Sequence, residues 1–143
     1  MGTLEQIWIK RSSGGRMDAA DSAELVTGRG IVGNANQGGH RQVTIIEKEL
    51  WDAMMRELAS DLPSSTRRAN LVVSGLSLYD SRGRTLQIGE CTIEIRGETK
   101  PCRLMEESLS GLQESMRRDW RGGAYGVITR GGRLEVGDSA AFA

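Results

Sequence analysis

The sequence lacks most of the features that would assign a class of function directly. No apolar run approaches the ~18 residues of a membrane-spanning helix, and no cationic, apolar leader is present. Two cysteines in 143 residues are too few for a disulfide framework, so a soluble protein of the reducing cytoplasm is expected. Nineteen Lys and Arg residues balance nineteen Asp and Glu residues, which argues against nucleic acid or a membrane surface as partner. The only histidine, His40, has no second imidazole with which to form a histidine-rich metal site.

Glycine is abundant instead, and it separates many short β-type segments. Such glycine-rich turns are typical of short strands that follow one another closely. The chain is therefore predicted to be mainly β, a closed or nearly closed β-barrel with two or more inserted α-helices. Its length fits a single domain over residues 1–143. The predicted strands are Glu5–Arg11, Glu24–Thr27, Gly30–Gly33, Gln42–Glu47, Asn70–Ser74, Thr85–Ile88, Cys91–Arg96, Tyr125–Thr129 and Arg133–Val136.

Apolar residues at helical spacing predict one helix from Glu47 and a second from Pro101 to about Asp119. The last two strands are predicted to pair as a hairpin across Gly131-Gly132, a residue pair suited to a tight turn. Residues 139–143 are expected to fray, as chain ends commonly do.

The two cysteines have different predicted roles. Cys102 follows Pro101 at a predicted helix start and lies between Lys100 and Arg103. Because the thiolate form is favoured near helix N-termini and beside cations, Cys102 is the candidate nucleophile; the alternative is a cysteine that packs under a loop. Cys91 alternates in step with Ile93 and Ile95, so it is predicted to point to the same face of the strand, toward the core, as a small hydrophobic residue. Companion ligands for a structural zinc site are missing.

Several polar residues are candidates for binding an anion. Arg68 and Asn70 share one face of a predicted strand, where a guanidinium and an amide could grip a phosphate or carboxylate; the alternative is an ordinary solvated strand edge. Arg121-Gly122-Gly123 joins a cation to exposed backbone amides, although glycine there could simply end the helix. Arg41 is a further candidate.

An ordered set of short motifs resembles the MOSC domain family, named for the C-terminal domain of molybdenum cofactor sulfurases. The resemblance covers most of the chain, and the short length is similar to that of stand-alone bacterial members. The motifs are Gly30-Ile31-Val32-Gly33, Arg41-Gln42-Val43-Thr44-Ile45-Ile46, Arg68-Ala69-Asn70-Leu71-Val72-Val73-Ser74-Gly75, Leu86-Gln87-Ile88-Gly89-Glu90, Pro101-Cys102, Arg121-Gly122-Gly123 and Val136-Gly137-Asp138.

The resemblance implies a β-barrel whose Cys102 carries sulfur as a persulfide, from a cysteine desulfurase-like donor to a metal–sulfur acceptor. Instead of this role, or together with it, the resemblance implies binding of molybdenum cofactor. The pterin of that cofactor carries a phosphate, for which a pocket with Arg68, Asn70 and Arg121 would be suited. One alternative is a cofactor-dependent reductase of N-hydroxylated compounds, with Cys102 as a metal ligand and a separate electron-transfer partner. Another is a noncatalytic module that binds a ligand or docks to a partner.

The chain departs from the family pattern at two places. Many relatives have Asp and His in the loop where this chain has Asn34 and Asn36. Trp120 stands where glycine is common, so its indole could narrow the pocket or form a wall for a planar ligand.

Overall fold

A computed structural model describes residues 2–143, and its strands close into a seven-stranded barrel. The prediction of a mainly β, closed barrel with inserted helices is therefore confirmed. In chain order the elements are β1 (Gly2–Lys10), β2 (Met17–Ala20), β3 (Ser22–Val26), β4 (Gly30–Ile31), β5 (Val43–Glu47), α1 (Lys48–Glu57), a 3-10 turn (Ser64–Arg67), β6 (Leu71–Ser74), β7 (Thr85–Ile88), β8 (Cys91–Glu98), α2 (Arg103–Ser108), α3 (Leu112–Ser115), β9 (Ala124–Arg130), β10 (Gly132–Glu135) and β11 (Ser139–Phe142). Among the helices of residues 2–143, none is long and apolar enough to cross a bilayer.

The barrel strands follow the order β11-β7-β8-β9-β5-β6-β1, and β1 pairs again with β11 to close the ring. Strands β5 and β6 are parallel, and α1 with the 3-10 turn forms the connection between them. Strand β2 pairs with the second half of β1, residues 7–10, and β10-β3-β4 form a smaller second sheet. The connection between the parallel strands leads from the 3-10 turn into β6 at one end of the barrel. The residues between them, 68–70, line the site described below.

Alternating side chains fill the barrel, as the strand patterns predict. Ile7 and Ile9 of β1 and Ile93 and Ile95 of β8 are buried in one continuous core cluster. Burial and close packing of these branched side chains contribute most of the hydrophobic free energy of folding. A second cluster lies beneath the helices and consists of Trp51, Met54, Met55, Met105, Leu112 and Met116.

The last strand corrects the expectation that residues 139–143 fray. Ser139–Phe142 form β11, which lies between β1 and β7, and Ala140 is completely buried. Without β11, two neighbouring strands would expose unpaired edges, which favour aggregation. The short, alanine-rich sequence of this segment does not by itself predict a strand. The strand is ordered by its pairing with a neighbour on each side.

Two further predictions are wrong. The predicted helix from Pro101 to Asp119 is instead two short helices, α2 and α3, separated at Gly111, whose φ of 90° breaks the helical path. The predicted terminal hairpin does not form. One edge of β9 pairs with β8, and on the other edge the backbone N of Ile128 donates to Gln42 Oε1 and its carbonyl accepts from the backbone N of Gly28. Strand β10 pairs with β3 instead, and Leu25 and Leu134 of this pair are buried in the core.

Candidate thiol and anion site

A cleft of about 150 Å³ lies at the end of the barrel where the loop after β4, the turn before β6 and the start of α2 meet. We call it the cationic cleft. The residues that give it its chemistry are Lys10, Asn34, Arg41, Arg67, Arg68 and Cys102. Within residues 2–143 the lining includes no Asp or Glu.

The two cysteines occupy opposite environments. Cys102 is exposed at the residue that precedes α2, and it lines the cationic cleft. Cys91 is completely buried in the barrel core, as predicted, and burial raises the pKa of its thiol to about 11. The flanking Arg103 pairs with Glu107 one turn along α2, at 3.5 Å. The charge of Arg103 therefore has a counter-charge on its own helix.

Sequence patterns did not identify two cations of the cleft, Lys10 and Arg67, of which Arg67 is the more deeply buried. Its side chain is buried, and its Nε and Nη2 donate hydrogen bonds to the carbonyls of Gly122 and Thr99 at 2.8 and 2.9 Å. Burial lowers the pKa of Arg67 to about 10, and the nearby Cys102 thiolate acts in the opposite direction. A cationic partner for Cys102 therefore lies fixed in the wall of the cleft.

Strand parity could not have identified Arg67, because Arg68 has a left-handed backbone with φ of 65°. This conformation breaks the alternation that places successive side chains on opposite faces. As a result both arginines line the same cleft. The adjacent arginine pair in the sequence was the one available signal.

Three more cations complete the cleft. Arg68 donates a hydrogen bond to the carbonyl of Gly15, and the Arg41 guanidinium lies 5.2 Å from the centre of the Tyr125 ring. The pKa of Lys10 is lowered by burial, and then by the charges of Arg68 and Arg41.

None of the four cleft cations takes part in an ion pair with a carboxylate of residues 2–143. Like charges gathered without a counterion are electrostatically unfavourable and attract an anion. A bound anion would supply the counter-charge that these cations do not receive from the described residues.

Asn70 positions the cleft wall. Its Oδ1 accepts hydrogen bonds from the backbone N and Oγ1 of Thr44, both at 3.2 Å, and its Nδ2 donates to the carbonyl of Trp8 and to Asn34 Oδ1, both at 3.1 Å. The amide is thus occupied in joining β1, β5 and the loop after β4. Its predicted contact with an anion would require one of these bonds to be exchanged.

Asn34 and Asn36 both line the cationic cleft. Asn34 is only 5% exposed, and its Oδ1 accepts hydrogen bonds from the backbone N of Lys10 and from Asn70 Nδ2. Its Nδ2 is buried and has no partner among the described residues. A buried amide donor without an acceptor is costly, so this group favours a ligand that brings an oxygen acceptor.

The Arg121-Gly122-Gly123 motif divides between two places. Gly122 lines the cationic cleft, where its carbonyl accepts the Arg67 bond. Arg121 does not reach the cleft: it lies in the neighbouring helical region and its Nη2 pairs with Glu57 at 2.9 Å. Gly123 permits close strand packing, since a Cβ there, at φ of 99°, would lie 2.2 Å from the Ile45 carbonyl oxygen.

Trp120 and His40 lie beside the cationic cleft. Both line a neighbouring surface groove that shares Arg41 with it. The indole is half-buried against the barrel core. The Trp120 side chain therefore does not narrow the cleft.

Comparison with known proteins gives one family and several structures of the same fold. The family model described as MOSC domain matches residues 29–141, whereas no curated protein matches the sequence. The YuaD protein from Bacillus subtilis superposes with a TM-score of 0.80 and 18% identity, covering 98% of this chain and 94% of that one. YiiM from Geobacillus stearothermophilus gives 0.77 and 12%, covering 100% and 75%, and YiiM from Escherichia coli gives 0.74 and 18%, covering 100% and 70%.

Proposed function

The chain belongs to the MOSC domain family, and we propose that its Cys102 is a sulfur carrier. In this proposal the thiol takes up sulfur as a persulfide and passes it to a metal–sulfur acceptor in the cationic cleft. The observation that carries the proposal is the shared position of an exposed thiol and four cations, none of which pairs with a carboxylate in the described part of the chain. Cys91 cannot serve the same purpose, because it is completely buried.

The cations have a defined role in this chemistry. Both the thiolate and the persulfide of Cys102 carry a negative charge, and a positive surrounding stabilises each of them. Arg67 is held by two backbone carbonyls, so its charge is already in place before sulfur arrives. Such fixed charges need no reorganisation during the reaction.

The residues present fit a phosphate-bearing molybdenum cofactor as the acceptor. Arg41, Arg68 and Lys10 offer cationic donors to a phosphate, the unpartnered Asn34 Nδ2 offers one more hydrogen bond, and Cys102 is a soft thiolate donor. When bound, this cofactor would supply the metal centre that receives sulfur. Arg121 has no part in this proposal because it pairs with Glu57 outside the cleft.

We also propose a cysteine desulfurase-like protein as a sulfur donor and the reducing cytoplasm as the compartment. A carrier thiol must stay reduced between cycles, and both cysteines of this chain are free. The exposed position of Cys102 leaves the thiol open to a protein donor.

Loading the purified protein tests the proposal. Incubation with a cysteine desulfurase and cysteine should add one sulfur atom to Cys102, and mild reduction should remove it. Intact and peptide mass spectrometry would locate the added sulfur. The Cys102→Ser variant should gain nothing, and the matched Cys91→Ala variant should load like the wild type. Loading of Cys91, or failure of Cys102 to load, would refute the carrier role.

A further inference from the structure

We propose that the cationic cleft takes sulfur directly from thiosulfate, which would make the protein a thiosulfate-dependent sulfurtransferase. This inference rests on the proposed role of Cys102 as a sulfur carrier and adds a small-molecule donor to it. The grounds are the charge of the cleft, its unpartnered hydrogen-bond donor and the position of the thiol.

The charge of the cleft favours a small dianion. Lys10, Arg41, Arg67 and Arg68 line it, and among residues 2–143 no Asp or Glu does, so the Cys102 thiolate is the negative group that this lining can supply. A single thiolate leaves three of the four positive charges unbalanced. Thiosulfate brings two negative charges together with a sulfur atom that a thiolate can attack. Neutral sulfur donors would gain nothing from this field.

The walls also offer hydrogen bonds of the required kind. Asn34 is 5% exposed and lines the cleft, and its Nδ2 has no acceptor among the described residues. The cationic side chains are donors only. The oxygens of a sulfonate group are acceptors, and they are therefore complementary to a lining that has donors in excess.

The sulfur transfer balances without any further reagent. The Cys102 thiolate attacks the outer sulfur of thiosulfate, a new S–S bond forms, and the S–S bond of thiosulfate breaks. Its electron pair leaves with sulfite, so the products are a singly charged persulfide and the sulfite dianion. The cations that held the thiosulfate oxygens stabilise the charge that develops on the departing sulfite.

A thiocyanate assay tests this inference. The protein is mixed with thiosulfate and cyanide; cyanide takes the outer sulfur of the persulfide as thiocyanate and regenerates the thiolate. Wild-type protein should turn over, and should lose rate as sodium chloride is added. Arg41→Gln removes one exposed cation of the cleft and should lower kcat/KM about tenfold, the worth of one charge-assisted hydrogen bond. The matched Arg29→Gln variant removes an exposed charge outside the cleft and should behave like the wild type.

Two further measurements separate recognition of the dianion from general reactivity of the thiol. The neutral reagent 4,4′-dithiodipyridine reports thiol reactivity, so the Arg41→Gln loss should be larger with thiosulfate than with this reagent. Asn34→Asp places a carboxylate in the cleft and should reduce thiosulfate turnover at least as much as Arg41→Gln does. Its melting temperature shows whether the variant is folded. If the desulfurase loads Cys102 but thiosulfate does not, this inference fails and the carrier role stands. If neither donor loads it, both fail. Equal losses with both reagents would also overturn recognition of the dianion.

Discussion

Replacing Arg67 by Met should destabilise the protein by about 2 kcal/mol. The substitution leaves the carbonyls of Gly122 and Thr99, which accept its hydrogen bonds at 2.8 and 2.9 Å, without their donor. An unsatisfied buried group costs about 1–3 kcal/mol, so two of them cost about 2–6 kcal/mol. Arg67 has no carboxylate partner within residues 2–143, so its removal recovers part of this cost, since isolated buried charge is itself unfavourable. We therefore expect a value near the lower end.

Thermal melting followed by circular dichroism gives the first readout. For a chain of this size a loss of about 2 kcal/mol lowers Tm by about 8 °C. The Tm of Arg67→Lys should lie between those of the wild type and Arg67→Met, because an ammonium keeps the charge but lacks the planar fork of guanidinium donors. Arg117→Gln is a surface control: its pair with Glu114 is exposed and should contribute less than about 1 kcal/mol.

The rate of Cys102 alkylation gives the second readout. The thiolate and the Arg67 guanidinium interact, so Arg67→Met should slow alkylation at neutral pH, and Arg117→Gln should leave it unchanged. Our reasoning would be refuted if Arg67→Met melted within about 2 °C of the wild type. An unchanged alkylation rate would separately exclude Arg67 as the partner of the thiol.

Three other predictions follow from single side chains. Iodoacetamide at pH 8 should label Cys102 and leave Cys91 unmodified until the protein is unfolded, since burial raises the pKa of Cys91 to about 11; peptide mapping checks this, and labelling of both thiols in the native state would contradict it. Burial raises the pKa of Glu47, so the folded protein binds a proton at this carboxyl more strongly than the unfolded chain does. The stability that this proton contributes is complete below about pH 4.5, the ordinary pKa of Glu. It is lost as the pH rises through the pKa of the folded state. Glu47→Gln should therefore raise Tm at pH 7 and have little effect near pH 4, and an unchanged Tm at pH 7 would count against this assignment. Gly123→Ala should cost several kcal/mol in urea unfolding, because its Cβ would lie 2.2 Å from a carbonyl oxygen; Gly137→Ala, with a similar positive φ but open space around it, should cost only about 1 kcal/mol. Equal losses for the two variants would show that backbone strain alone, without the clash, decides the result.

Much of the local structure is determined by short sequence patterns. The alternation in β1 and β8 and the helical spacing in α1 identify these elements because each one buries a single continuous face. The same reasoning places Cys91 in the core. Pairing between distant strands has no such local signal. β10 pairs with β3 rather than with β9, whose edges near β10 are held by β8, Gln42 and Gly28. β11 is ordered by the two strands that it joins.

The candidate site follows the same division. Short sequence patterns identified several members of the site, namely Cys102 after a proline and Arg41 and Arg68 as anion-binding candidates. Which charges share the cleft depends on the folded chain. Lys10 and Arg67 line the cleft as well, whereas Arg121 pairs with Glu57 outside it. The closure of the barrel brings residues from distant segments to one end, and the left-handed backbone of Arg68 interrupts strand alternation there. Electrostatic interactions depend on distance in space rather than on separation along the chain, so local patterns do not reveal them.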